Sequence, residues 1–145
     1  MTLATVLCPV DFSEATAPLV AYAAALAAGT GAELRVLHVL QPKLVPGSIP
    51  DLEVARQLAY YHAQAVQVGA QVSTAVHQAT EVALEIVAEA RRCSADLIVI
   101  GAHGRTSINR FLMGSTAETV VRTAPCVTLL LKPPAPAEDA YRVSA

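Results

Sequence analysis

Apolar runs of strand length alternate with helical stripes throughout the first 132 residues. Residues 3–10 form a short apolar run that stops at Asp11, which predicts a strand with a carboxylate at its carboxyl end. Leu19, Tyr22, Ala23 and Leu26 recur at helical spacing until Gly29 and Gly31 end the helix. Residues 33–40 read as a second strand. Three prolines in residues 41–50 forbid a regular ladder, so a loop follows, placed to fold over a site at the strand ends. Ser48 and Asp51 bracket Pro50 as a helix start, and Leu52, Ala55, Ala59, His62 and Val66 predict the inward face of that helix. Val72, Thr74 and Val76 alternate with Gln71, Ser73 and Ala75, the pattern of a strand at a sheet edge with one face less buried. Ala79, Val82, Ala83, Ile86, Ala90 and Cys93 share a helical face, which assigns Cys93 to the core. Glu81, Glu85 and Glu89 lie on another face. Like charges four apart read as a solvated surface and not as a metal-binding row.

The stretch from Asp96 to Thr116 carries the most chemistry. Leu97 to Ile100 is an uninterrupted apolar run, as expected of a parallel strand covered on both faces, and it stops at Gly101. Gly101 and Gly104 let the backbone turn and approach a ligand where a Cβ would collide. Nine residues later, Gly114-Ser115-Thr116 opens a helix whose first amides have no intrahelical partner and suit a phosphate. The spacing is G-x2-G-x9-G-S. The last helix runs to Ala124, and a fifth strand extends from Cys126 to Leu131. Alternating strands and helices predict an open parallel α/β sheet, whose ligands sit at the strand carboxyl ends where the strand order reverses. Asp11 and Gly101 both fall at such ends.

Composition narrows the function. At 145 residues the chain has the length of one domain, expected over 1–132, and residues 133–145, rich in Pro and Ala, are expected to be a disordered tail. Hydrophobic residues make up 54% and charged residues 15%, which favours a sheet covered on both faces. A net charge of −2 provides no electrostatic footprint for nucleic acid. Cys8, Cys93 and Cys126 are an odd count without a C-x-x-C pair, so neither a disulfide framework nor a zinc site is expected, and a reducing cytoplasm fits. No basic segment precedes the first strand, so no cleavable signal is expected. Residues 15–32 lack charge, but their Ala, Thr, Gly and Pro18 content between strands predicts a helix packed on a sheet and not a membrane span.

Several candidate residues have two roles open to them. Asp11 or Ser13 serves the site, caps the next helix, or does both. Ser115 and Glu118 have capping-box spacing, so Ser115 either secures the helix start alone or also donates to a phosphate. Arg105 and Arg110 supply cations on the glycine loop, where an arginine is otherwise simply solvated. His62, on an apolar stripe, reads as a half-buried histidine satisfied by its surroundings. Gly29-Thr30-Gly31 follows a helix and has Leu34 where a third glycine would stand, so it is not a dinucleotide fingerprint.

The glycine spacing, with its buried strand, its helix and Cys8-Pro9-Val10-Asp11-Phe12-Ser13 near the start, closely resembles the universal stress protein family in its ATP-binding branch. The resemblance spans residues 3–132, with one departure: the proline common after the cysteine is replaced by Val127. It implies a Rossmann-like, open, doubly wound five-stranded parallel sheet of order 3-2-1-4-5, of the adenine nucleotide alpha hydrolase-like kind. It also implies ATP contacts at Pro9, Asp11, Val39, Ile100, Gly101, His103, Gly104, Gly114, Ser115, Thr116 and Ala117. In that reading Val39 offers backbone groups to adenine and Asp11 accepts from sugar hydroxyls, while the Gly114 region donates to the phosphates, with which magnesium can enter. His103 contributes either a protonated side chain or only its backbone. A homodimer through the fifth strand is implied too, and its apolar edge independently favours pairing. The chain holds no G-x4-G-K-[ST], G-x-S-x-G or H-E-x-x-H motif. The reading is therefore an ATP-binding stress-response protein acting through its bound state, not a dedicated enzyme, with hydrolysis below about 1 s⁻¹. A slow ATPase or phosphoryl-transfer enzyme, and an interaction module with a vestigial site, are the alternatives.

Overall fold

The computed structural model describes residues 2–42, 51–102 and 114–132. Five strands, β1 Thr5–Pro9, β2 Glu33–Leu40, β3 Gln71–Gln78, β4 Leu97–Gly101 and β5 Val127–Leu131, alternate with four helices, α1 Thr16–Thr30, α2 Asp51–Gln67, α3 Val82–Arg92 and α4 Ser115–Thr123. All strand pairs are parallel, and the sheet order is β3-β2-β1-β4-β5. The order that the resemblance implies is the observed one. Of the loop expected over 41–50, residues 43–50, Ser48 among them, lie outside the described residues, as does the tail 133–145.

Two cores follow from strand alternation. Val6 and Cys8 of β1 and Leu34 and Val36 of β2 point to one face with α1 and α2, while Leu7, Leu37, Ile98 and Ile100 point to the other with α3 and α4. The three central strands are therefore buried on both faces, which explains their nearly continuous apolar runs. At the amino end of the sheet, the Asp96 carboxylate accepts from the amides of Ala4 (2.8 Å) and Thr5 (3.0 Å) and ties β1 to β4. These two amide bonds hold its carboxyl below the ordinary range. Gly31 closes α1 with φ 76°, its amide bonded to Ala27 O.

Several helix faces differ from the expectation. In α1 the packed residues are Thr16, Leu19, Val20, Ala23, Ala24 and Ala27, and Tyr22 is 45% exposed. In α2 they are Val54, Leu58 and Ala65, whereas Leu52 is 72% exposed, Ala55, Ala59 and Val66 are exposed, and His62 is half-buried. In β3, at the edge as expected, Val76 is exposed and Val72 half-buried, while Ala75 packs toward α3. Cys93, at the end of α3, is half-buried and packs against the margin of the second core.

Glu89 is the largest correction. Its side chain is 2% exposed instead of solvated. Arg35 of β2 (2.5 Å), Arg92 (2.9 Å) and His77 of β3 (3.1 Å) all bond to it. Burial alone pushes the Glu89 carboxyl up, but the bonds from Arg35 and Arg92 and the positive charge nearby outweigh it and hold the group below the usual carboxylate range. Arg35 also reaches Ser73 Oγ, so the cluster fastens the edge strand to β2 and α3.

Candidate functional site

Chain connections run outward from β1 to β2 and β3 on one side, and from β4 to β5 on the other. The order reverses between β1 and β4. A crevice opens there at the strand carboxyl ends, because the helices following the two strands cross to opposite faces of the sheet. Asp11 follows the end of β1, Gly101 ends β4, and the amino end of α4 is docked beside them by a 2.7 Å bond from Gly114 N to Ala102 O.

Helix α4 begins without a side-chain cap. Gly114 is the N-cap, extended at φ −65° and ψ 155°, and the first intrahelical bond runs from Glu118 N to Gly114 O. The capping box expected of Ser115 and Glu118 is not formed, because Ser115 sits one position inside the helix and Glu118 pairs with Arg122 at 2.7 Å. The amides of Ser115, Thr116 and Ala117 therefore precede the first helical bond, with Ser115 exposed and Thr116 half-buried. A nine-residue helix with its positive dipole end at a strand-end crevice presents donors suited to an anion.

Asp11 lies in a tight turn. Its Oδ1 accepts from Ser13 N at 3.0 Å and from the Thr16 hydroxyl at 3.5 Å, so the side chain orders the entry to α1 just beyond the carboxyl end of β1. Ser13 Oγ accepts from Ala15 N at 3.4 Å, and α1 has no side-chain cap at Ala15 itself. Between them, Phe12 is held at φ 60°, an uncommon conformation for a bulky residue.

The side chains of Val39, Ile100 and Ala117 are buried in the second core, so at these positions only backbone groups are left to reach a ligand. Pro9 is buried at the end of β1, and Gly101 and Gly114 are half-buried. His103, Gly104, Arg105 and Arg110 lie outside the described residues. Cys8, one residue before Pro9, is fully buried and its thiol is pushed up to about 12 by burial, which removes it as a nucleophile. All three cysteines are free.

Sequence reasoning missed His38. It is buried on the α1 and α2 face of β2, with Nδ1 2.8 Å from Val10 O and its ring 4.4 Å from that of Phe12. Tyr61 of α2 stacks in turn on Phe12 at 6.4 Å. The signal was available, because His38 continues the inward-facing alternation of Leu34 and Val36 and so had to be buried beside the loop that carries Asp11.

An open parallel sheet with a glycine-led helix start and a carboxylate at its switch point defines a doubly wound α/β protein. Among the described residues, no three His, Cys, Asp or Glu side chains converge as a metal site, and no helix is long and apolar enough to cross a membrane. The model of the universal stress protein family matches residues 3–132, and the chain belongs to that family. A universal stress protein of Thermus aquaticus, from the region 3′ of its QAH/OAS sulfhydrylase, is 32% identical over 136 residues, covering 88% of this chain and 98% of the relative. One from Methanocaldococcus jannaschii is 48% identical over 50 residues, which span 34% of this chain and only 29% of the relative. Among solved structures, a universal stress protein from Archaeoglobus fulgidus in complex with dAMP is 25% identical with a TM-score of 0.70, over 91% of this chain and 100% of that one. UspA from Lactobacillus plantarum is 23% identical with a TM-score of 0.78, over 90% and 99%, and shares the fold.

Proposed function

We propose that this protein binds ATP in the crevice between β1 and β4 and acts in the stress response through its nucleotide-bound state. The observation that carries the reading is the uncapped start of α4, anchored by Gly114 N to Ala102 O at the end of β4, with Asp11 beside it at the end of β1. The dAMP complex of the Archaeoglobus relative supports an adenine nucleotide as the ligand class. In this reading the amides of Ser115, Thr116 and Ala117, and the glycine loop with His103 and Gly104, receive the phosphates. Asp11 accepts from the sugar, and backbone groups near Pro9, Val39, Ile100 and Gly101 take the base and the adjoining phosphate. Magnesium enters with the phosphates, coordinated chiefly by them and by water.

The phosphate donors are amides fixed before the reaction, and they hold ground state and transition state alike, so binding does not itself raise turnover. Hydrolysis is correspondingly slow, below about 1 s⁻¹. Residues 1–132 act as one domain in the cytoplasm, and β5 joins two copies into a homodimer.

The test is extraction of nucleotide from the purified protein by denaturation, followed by mass analysis. ATP released from wild type in near-stoichiometric amount and absent from Gly114→Val supports the reading, because a branched side chain fills the phosphate volume. Released ADP favours a slow ATPase, and no nucleotide from either protein favours an interaction module.

A further inference from the structure

His38, Phe12 and Tyr61 form a ladder of three rings that runs from α2 through the β1–α1 turn to β2. The His38 imidazole sits under the turn with Nδ1 2.8 Å from Val10 O, and since a carbonyl only accepts, Nδ1 carries the proton and donates. This bond fixes the peptide that leads directly into Asp11. On the other side of Asp11, Phe12 is held at φ 60°, with its ring against His38 at 4.4 Å and roughly parallel to that of Tyr61 at 6.4 Å. A bulky residue keeps that backbone conformation only where its surroundings impose it. Here the His38 and Tyr61 rings flank Phe12, and the bond from Ser13 N to Asp11 closes the turn around it.

Both residues adjoining Asp11 are thus held from below, one through its carbonyl and one through its ring, and the carboxylate between them is aimed by the pair. The Ser13 amide and Thr16 hydroxyl fix its Oδ1 from the helix side. We infer that His38 is a positioning residue that, through Val10 and Phe12, sets the Asp11 carboxylate for the sugar hydroxyls and so determines preference for nucleotides that carry sugar hydroxyls over those that lack them. The inference rests on the proposed nucleotide site and adds a specificity device to it.

Asparagine places an amide N–H near the position of a histidine Nδ1, whereas leucine fills a similar volume without a donor. His38→Leu and His38→Asn therefore separate the hydrogen bond from the packing. Binding of ATP and of 2′,3′-dideoxy-ATP is measured by calorimetry for wild type, both variants and Phe12→Leu, with far-ultraviolet circular dichroism as the folding control. Wild type is expected to prefer ATP by about tenfold or more, the usual consequence of hydrogen bonds to a charged group. In His38→Leu the preference falls to within about twofold through loss of ATP affinity alone, while dideoxy-ATP, which has no hydroxyl for Asp11, binds as before. His38→Asn keeps the preference within about threefold of wild type, and Phe12→Leu loses most of it. A uniform loss of affinity for both nucleotides, or a wild-type preference in folded His38→Leu, overturns the inference. If His38→Leu does not fold, an undiminished preference in Phe12→Leu overturns it instead. Absence of ATP binding by wild type is a different result, which refutes the nucleotide site itself.

Discussion

Glu89 shows how one side chain's role depends on neighbours distant in sequence. In the helix it belongs to a row with Glu81 and Glu85, and nothing within α3 distinguishes it as buried. Its burial is tolerable because Arg35, 54 residues earlier, and His77 project from β2 and β3 onto the same spot. Glu89→Gln keeps the volume but removes the carboxylate that Arg35 pairs with and leaves Arg92 with Glu85 alone. Because those arginines are 30% and 50% exposed, the expected loss is about 2 kcal/mol, below the range for fully buried pairs. A carboxyl held low in the folded state contributes stability above its unfolded pKa and loses it as pH falls through the folded value. The gap between wild type and Glu89→Gln in urea unfolding should therefore be constant above about pH 5 and shrink below about pH 4, near and under the ordinary glutamate value. A gap unchanged at pH 3 would show that the carboxylate's charge is not what stabilises the cluster. His38 teaches the complementary lesson: its burial was legible from alternation along β2, but its bond to Val10 O needed the tertiary structure.

Element boundaries and the succession of elements along the chain were more legible than helix orientation. Each strand was readable within two residues at either end, because central strands leave unbroken apolar runs and Asp11 and Gly101 interrupt them. The packed face of α1 was not, since Ala, Leu, Val and Tyr cover nearly its whole circumference and specify no stripe. Helix α2 carries two apolar stripes, one through Val54, Leu58 and Ala65 and one through Leu52, Ala59 and Val66, and only docking on the sheet decides between them. Local backbone chemistry gives a sharper test at the end of α1. Gly29 lies inside the helix with nothing within 4 Å of an added Cβ, whereas Gly31 has equal space but φ +76°. Gly29→Ala should raise stability by about 0.5–1 kcal/mol, and Gly31→Ala should lower it by about 1 kcal/mol. Thermal and urea denaturation of the two variants check this; effects of the same sign would mean that backbone conformation at Gly31 does not set the cost.

The assembled sheet has one edge at β3 and the other at β5. Leu131 O accepts from Ala102 N, so in the parallel ladder Val127, Leu129 and Leu131 turn their peptide groups to β4, and Thr128 and Leu130 turn theirs outward. With Val127 54% exposed, this is an apolar edge whose outward groups have no partner among the described residues, suited to pairing with its own copy about a two-fold axis. Leu130→Pro removes an outward donor while sparing the ladder to β4. Light scattering at micromolar concentration should give two chains for wild type and one for Leu130→Pro; a wild-type mass of one chain rules the dimer out. Strand order itself is invisible to local pattern, because β1, β2 and β4 are equally apolar, and it entered through family resemblance. That order is what sets the carboxyl ends of β1 and β4 side by side, with Asp11 after one and α4 docked on the other. The decisive measurement is calorimetric titration of ATP into nucleotide-free wild type, Ser115→Ala and Gly114→Val. Wild type should bind one ATP per chain with micromolar Kd, about −8 kcal/mol. Ser115→Ala should weaken this by no more than about tenfold, as for one neutral hydrogen bond, and folded Gly114→Val should show no binding. No heat of binding from folded wild type up to millimolar ATP would rule out a nucleotide site between β1 and β4.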